Sequence, residues 1–277
     1  MKTFNVGLVG YGKMGKIYAK EIKKKKEFKI VDILEHKKIL KNPNVTKKFF
    51  KSKKINLFII SSPINTHFKY LQLAYKVGGN IIIEKPLVEN NNQFKKLKLL
   101  NKDYKKKVMI HHNDLLNLEN ISFMENLNDC KKIEMFYGKK ELVNSYKKPF
   151  FDWLPHPLSI IINLIGEPKK FKIIKYKKTV TNNLIIEKLK LIFNFNNFQI
   201  FLNFSNDLKS PSKKIFVYKN NKKKIYDGYA KKNQKTIKLL LDKFYNVNKI
   251  NDVNTNLKVY QLLFKIKKLL QKKQANS

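Results

Sequence analysis

The sequence predicts an α/β domain with a doubly wound parallel sheet over residues 1–112, followed by an α+β domain with an open, mostly antiparallel sheet over 113–277. Three observations carry the prediction. Short apolar runs alternate with amphipathic stretches through the first half, the pattern of βαβ units. A glycine-rich turn separates the first strand-like run from the first helix-like one. Beyond residue 112 the grammar changes to closely spaced β-rich runs closed by two amphipathic helices. A chain of 277 residues exceeds one average domain and falls short of three, so two domains sharing one crevice are expected.

Strands are predicted at Phe4–Val9, Phe28–Leu34, Leu57–Ser61, Asn80–Ile83 and Val108–His111, and helices at Lys13–Lys24, Thr66–Val77 and Asn91–Tyr104. In Thr66–Val77 the residues Phe68, Leu71, Ala74 and Val77 fall at helical spacing, and Gly78-Gly79 supplies the stop. The second domain opens with a helix-like run, Leu116–Leu127, then a strand, Lys132–Tyr137, and a polar connection from Gly138 to Lys148. Asp152–Ile165 is apolar enough for one largely buried helix ending at Gly166. Strands follow at Phe171–Lys177, Leu184–Phe195, Phe198–Phe204, Lys214–Tyr218 and Lys224–Tyr226, with Asn196-Asn197 marking a hairpin. Helices near Lys235–Tyr245 and Asn256–Gln271 close the chain.

The formal net charge of +40 points on its face to a polyanionic partner. The details favour another origin. All sixty basic residues are lysine, whereas phosphate and base-edge recognition favours the planar guanidinium. The lysines are spread through every element beside abundant Asn, Ile and Phe, residues with A/T-rich codons, so compositional bias explains them and a nucleic-acid partner is not expected. No apolar run approaches the ~20 residues needed to span a bilayer, and Met1–Val6 passes into a strand without a signal-peptide core, so a cytoplasmic protein without membrane association is expected. A single cysteine, Cys130, excludes an intramolecular disulfide and cannot by itself make a thiolate metal site; a lone Cys beside Asp129 and Lys131 is more often an incidental residue than a catalytic thiol.

Gly10-Tyr11-Gly12-Lys13-Met14-Gly15 lies directly between a strand and a helix. Glycines at this spacing allow a tight turn, close approach of backbone N–H groups to a pyrophosphate, and packing of helix on strand, so a dinucleotide site is expected there. Glu35, twenty residues after Gly15, stands where a carboxylate would accept from the adenosine ribose. Its charge repels a 2′-phosphate, which favours NAD, while His36, Lys37 and Lys38 keep NADP open. Lys85, in Glu84-Lys85-Pro86, follows a strand whose carboxyl end faces the ligand side of such a sheet, where an ammonium stabilises charge developing on a reacting oxygen. Asp152 and His156 are spaced to share one helical face, His156 as proton acceptor or donor and Asp152 to orient the substrate or the imidazole. His111-His112 cannot chelate one ion from adjacent strand positions, and no metal is expected.

These motifs together resemble the glucose-fructose oxidoreductase/inositol dehydrogenase/rhizopine-catabolism (Gfo/Idh/MocA) family. The resemblance rests on the glycine motif, Ser61-Ser62-Pro63-Ile64-Asn65-Thr66-His67 after a strand, Ile83-Glu84-Lys85-Pro86-Leu87, and Asp152-Trp153-Leu154-Pro155-His156. It implies a Rossmann domain, hydride transfer with a sugar, nucleotide sugar or cyclic polyol, a cofactor site that includes Gly10, Gly12, Lys13, Met14, Gly15, Glu35, Ser61, Ser62, Pro63, Asn65, His67, Glu84 and Lys85, and a catalytic set of Lys85, Asp152 and His156. It also implies homo-oligomers, dimers or tetramers, built through the second sheet. The family often carries an arginine after the Val108–His111 strand; here Asn113 and Asp114 occupy that region. The competing reading is a non-catalytic dinucleotide or sugar sensor of the same fold, which has no need of an acid/base set.

Overall fold

The structure, a computed structural model, describes residues 3–42, 44–125, 127–139, 149–181, 184–230, 235–247 and 252–275. In chain order the first elements are β1 (Phe4–Val9), α1 (Lys13–Ile22), β2 (Phe28–Leu34), α2 (His36–Lys41), α3 (Asn44–Lys51), β3 (Leu57–Ile60), α4 (Ile64–Lys76), β4 (Asn80–Glu84), α5 (Asn91–Asn101) and β5 (Val108–His111). There follow α6 (Asn113–Asn120), β6 (Cys130–Gly138), α7 (Pro149–Trp153), α8 (Pro155–Ile160), a π turn (Ile161–Ile165), and the strands β7 (Lys170–Thr181), β8 (Leu184–Asn194), β9 (Gln199–Ser205), β10 (Ser212–Lys219) and β11 (Lys222–Asp227). Helices α9 (Thr236–Asn246) and α10 (Val253–Ala275) end the chain.

The chain divides into two compact units, Met1–His112 with Lys235–Leu257, and Asn113–Gln234 with Lys258–Ser277. Residues 235–257, which the sequence reading counts with the second domain, therefore group with the first. Their attachment is polar as well as apolar: the buried Lys107 ammonium donates to the Phe244 carbonyl at 2.8 Å, and Asn101 donates to Asn254 at 2.6 Å.

The first unit holds a five-stranded parallel sheet in the order β2-β1-β3-β4-β5, with the reversal of winding between β1 and β3. Every residue of β3 and β5 is buried. Such unbroken burial requires cover on both faces, which is why Leu57–Ile60 and Val108–His111 read as continuous apolar runs and not as alternating ones. Helices α2 and α3, between β2 and β3, escape the sequence reading. The first is lysine-rich and buries nothing, and the second buries only Phe49 and Phe50, so neither carries a strong periodic signal.

The second unit is built on a six-stranded sheet, β11-β10-β6-β9-β8-β7, antiparallel except for the β6–β9 pair. Alternation is clear in β9, where Ile200, Leu202 and Phe204 are buried beside half-buried Phe201 and Asn203. The Asn196-Asn197 hairpin is present, closed by Phe195 N donating to the Phe198 carbonyl at 3.0 Å. A second two-residue turn joins β10 to β11, with Asn220 and Asn221 at φ 47° and 56°, the left-handed pair that a type I′ turn requires. The single helix expected over Asp152–Ile165 is instead α7, α8 and a π turn. Pro155 and Pro157 remove two backbone donors, and Gly166 N reaches back five residues to the Ile161 carbonyl at 2.9 Å before its φ of +108° ends the segment. Most of the Gly138–Lys148 connection lies outside the described residues.

Candidate functional site

The glycine turn of the first unit is packed from beneath and open above. Gly10 takes φ +91°, and a Cβ there would meet the Ser62 backbone at 2.7 Å. A Cβ on Gly15 would run into the Gly10 carbonyl and approach the Ser61 hydroxyl. Ser61 Oγ in turn donates to the Gly10 carbonyl at 3.1 Å, so the loops after β1 and β3, the two strands flanking the topological switch, brace each other. Around Gly12 the opposite holds: no heavy atom lies within 4 Å of the space its Cβ would fill. Gly12 is also the N-cap of α1, with no side chain capping it, and the amides of Lys13, Met14 and Gly15 precede the first helical hydrogen bond, from Lys16 N to the Gly12 carbonyl. An open helix N-terminus with unclaimed donors suits a pyrophosphate, and the residues present fit a dinucleotide.

Glu35 is half-buried at the start of α2, just beyond β2, as a ribose ligand requires. Pro63 and Asn65 are exposed at the first turn of α4, and the Ser62 hydroxyl accepts from Thr66 at 2.7 Å. His67, expected along the cofactor crevice, is 2% exposed. Its two ring nitrogens face the Ser62 carbonyl at 2.7 Å and the Pro86 carbonyl at 2.9 Å, so the ring is a strut between the loop after β3 and the turn that carries Lys85. Lys85 is half-buried, and its bond to Pro86 is cis.

Glu84 is half-buried at the end of β4. Its carboxylate is turned into the unit, accepting from Tyr18 Oη at 3.0 Å and from His111 Nδ1 at 2.6 Å. Burial alone would raise its carboxyl pKa, but the His111 charge and hydrogen bond, the Tyr18 hydroxyl and the Lys85 charge hold it below the usual carboxylate range. The far nitrogen of His111 lies 3.2 Å from the Thr236 hydroxyl. A Tyr18–Glu84–His111–Thr236 chain thus fixes the residue immediately before Lys85. Nothing in the local pattern of His111-His112 signals it, because the partners come from α1, β4 and α9. Among the described residues no group of His, Cys, Asp or Glu is arranged to hold a metal ion.

In the second unit His156 is 7% exposed, inside α8. The carboxylate beside it is Asp114, in the first turn of α6, with Oδ2 3.7 Å from His156 Nδ1 and 3.3 Å from Lys213 Nζ on β10. Asp114 is 1% exposed. Tyr226 on β11 donates to Oδ1 at 3.4 Å, and the phenol of Tyr137 on β6 is buried nearby. Burial and the Asp114 charge push both phenols up, so they remain protonated donors. Gly228 closes the cluster: a Cβ there would meet Asp114 Oδ1 at 2.8 Å. The Trp153 ring stands 6.2 Å from the His156 ring and 5.8 Å from the Lys213 ammonium. Asp152 is half-buried in α7, one turn before His156, with the helical hydrogen bonds Leu154 N to Phe150 O and Leu158 N to Leu154 O running through both short helices. His156, singled out by the sequence, thus lies beside Asp114, Lys213, Tyr137 and Tyr226, none of which the sequence pattern pairs with it. One lysine among sixty basic residues carries no local signal, and the tyrosines are supplied by strands distant in sequence.

Residues 4–112 match the family described as "Oxidoreductase family, NAD-binding Rossmann fold" (GFO_IDH_MocA). A curated relative, the uncharacterized oxidoreductase YdgJ of Escherichia coli (strain K12), is 24% identical over 189 residues, 60% of this chain and 55% of the relative, so the match spans little more than half of that protein. Two solved structures share the fold across nearly the whole chain. The UDP-N-acetylglucosamine 3-dehydrogenase GnnA from Acidithiobacillus ferrooxidans is 16% identical, covering 96% of this chain and 97% of its own, with TM-score 0.73. Biliverdin reductase from Synechocystis sp. PCC 6803, in complex with biliverdin and NADP+, is 14% identical, covering 94% and 98%, with TM-score 0.70. Residues 4–112 thus form an NAD-binding Rossmann domain of the Gfo/Idh/MocA oxidoreductase family.

Proposed function

We propose that this oxidoreductase transfers a hydride between a nicotinamide dinucleotide, NAD in preference to NADP, and a secondary hydroxyl or ketone of a sugar, nucleotide sugar or cyclic polyol. The observation that carries the reading is the buried His156 with a carboxylate within ion-pair distance of its Nδ1, a proton-handling arrangement for which a sensor has no use. Bound dinucleotide supplies the hydride acceptor. In the oxidative direction His156 takes the hydroxyl proton as the carbon–hydrogen bond breaks, and Lys85 stabilises the charge that gathers on the oxygen. In the reductive direction His156 returns the proton. Asp152 orients the substrate. The substrate class leans on GnnA, a nucleotide-sugar dehydrogenase of the same fold; biliverdin reductase, on that fold too, shows that fold by itself does not select the substrate.

Among the described residues no helix is long and apolar enough to cross a membrane. Self-association through the second sheet belongs to the same proposal. Phe193, Ile200, Leu202 and Phe204 all lie on the buried face, whereas Phe136, Ile174 and Ile225 lie on the other, at 36%, 48% and 57% exposure. Apolar groups left on a sheet face suit a second copy.

The test is cofactor reduction by the purified protein, followed at 340 nm against a panel of polyols and nucleotide sugars with both dinucleotides, and His156→Ala as control. Turnover with one panel member that His156→Ala loses supports the reading. Tight dinucleotide binding with no turnover on any member moves it to a sensor.

A further inference from the structure

Asp114 occupies an unusual position for a carboxylate. It is 1% exposed, and its Oδ2 has no hydrogen bond among the described residues, with the Lys213 ammonium 3.3 Å away and His156 Nδ1, also without a hydrogen bond among them, 3.7 Å away. Its other oxygen accepts from Tyr226 at 3.4 Å. A buried carboxylate forfeits several kcal/mol of hydration unless charge or donors replace it, so the protein keeps this one only with His156 and Lys213 in place. Gly228, with no side chain to displace Oδ1, lets the chain after β11 close over it.

We propose that Asp114 is a positioning residue for His156: 3.7 Å from Nδ1, its charge biases the ring proton towards that nitrogen, and it shares that charge with Lys213. The inference rests on the reading of His156 as the proton-handling group. A carboxylate beside one ring nitrogen favours the proton on that nitrogen, even where the two stand 3.7 Å apart without a hydrogen bond. Three elements converge to build the arrangement: α6 supplies Asp114, α8 supplies His156 and β10 supplies Lys213. The phenols of Tyr137 and Tyr226, pushed up by burial and by the Asp114 charge, stay neutral, and the Trp153 ring, which faces Lys139 at 5.7 Å as well as Lys213, stands 6.2 Å from the imidazole. Lys213 is the counterweight. Standing on the same oxygen, it offsets part of the field that would otherwise favour a charged ring.

The experiment is an NMR titration of the His156 ring in the intact protein without substrate, the signal assigned by its loss in His156→Gln. Asp114→Asn lowers the titration midpoint by about one pH unit or more, tenfold in proton affinity. Lys213→Met raises it, because the carboxylate then acts on the ring alone, and this second variant decides the matter if Asp114→Asn fails to fold. Asp152→Asn moves the midpoint less than Asp114→Asn. The proposal is overturned if the midpoint moves less than about 0.3 unit in Asp114→Asn, if Lys213→Met lowers it, or if Asp152→Asn produces the larger shift. Because the titration needs no substrate, it is independent of the reading beneath it. Turnover retained in His156→Ala overturns the proton assignment whatever the titration shows.

Discussion

His112 makes the first unit sensitive to acid, and the size of the effect follows from its surroundings. The ring is 2% exposed at the end of β5, and its Nε2 lies 2.8 Å from Asn256 Oδ1. Asn256 donates through Nδ2 to the Asp252 carbonyl at 2.8 Å, which turns the amide so that its oxygen faces the ring and Nε2 carries the proton. Nδ1 has no hydrogen-bond partner among the described residues. Burial, opposed by the Asn256 hydrogen bond and the Glu84 charge and reinforced by the charges of Lys85 and His111, pulls the imidazole down to about 4 from its ordinary 6.5. The folded ring therefore stays neutral while the unfolded ring takes up a proton below pH 6.5. Stability contributed in this way is intact above 6.5 and is lost as pH falls towards 4. At about 1.4 kcal/mol per unit, the loss from this group approaches ~3 kcal/mol at pH 4, a large share of the ~5–15 kcal/mol that holds a domain together. Glu84, whose folded carboxyl lies below the ordinary value, adds a loss of the same sign below about pH 4.3. The measurement is hydrogen-exchange protection of the Leu57–Ile60 amides between pH 7 and 4.5 in wild type and in His112→Gln, which keeps a donor for Asn256 and does not titrate. These central amides report opening of the first unit. Wild type loses ~2–3 kcal/mol more than the variant over that range. Parallel pH dependences in the two proteins refute the reasoning.

Gly12→Val places methyl groups in the empty space above the turn without straining a backbone at φ −75°, so it leaves the fold intact and abolishes most dinucleotide affinity; unchanged affinity by calorimetry refutes the site. Glu35→Ser shifts preference towards NADP by about tenfold, ~1.4 kcal/mol, through loss of repulsion, since Lys38 is already held by the Ile33 carbonyl and Asp32; a wild-type preference for NADP of that size contradicts the assignment. His156→Ala and Lys85→Met each lower kcat about 10²–10⁴-fold at saturating cofactor while cofactor affinity changes little, because both groups act as the transition state forms; wild-type kcat in both removes the chemistry assigned to them. Light scattering at micromolar concentration returns a dimer or tetramer, and Ile225→Lys on the outer sheet face shifts it towards monomer; a monomeric wild type rejects the sheet interface.

The sequence and the structure agree most closely where function and folding impose the same local pattern. The strands β1, β2 and β5 appear with the bounds read from the sequence, because each is a short run with apolar residues at its ends or throughout, bounded at its carboxyl edge by Gly, Glu or His. The Gly10–Gly15 turn is legible for the same reason: its glycines answer steric demands that any homologous turn would face. Agreement fails where a residue's role depends on partners far away in sequence. Glu84 reads as part of the cofactor edge from its neighbour Lys85, yet its carboxylate is claimed by α1 and β5. The spacing of four brings Asp152 one turn before His156, but nothing local signals Asp114, forty-two positions upstream, whose carboxylate lies 3.7 Å from the ring.

The lysine-rich composition sharpens that contrast. With sixty basic and twenty acidic residues, a lysine is the default occupant of any tolerant position, and its presence says little. A carboxylate that stays buried against that background is informative, because it needs compensation from several elements at once. Glu84 is held by Tyr18 and His111, and Asp114 lies among Lys213, His156 and Tyr226. Glu187 accepts from Tyr176 at 3.0 Å and from Phe150 N at 3.2 Å, and so satisfies an amide at the start of the helix that leads to Asp152 and Trp153. Each of the three braces a segment that carries a proposed functional side chain: the Lys85 turn, the His156 ring, and the α7 turn before it. In a chain this basic, the acids that persist in the interior mark where geometry is being held.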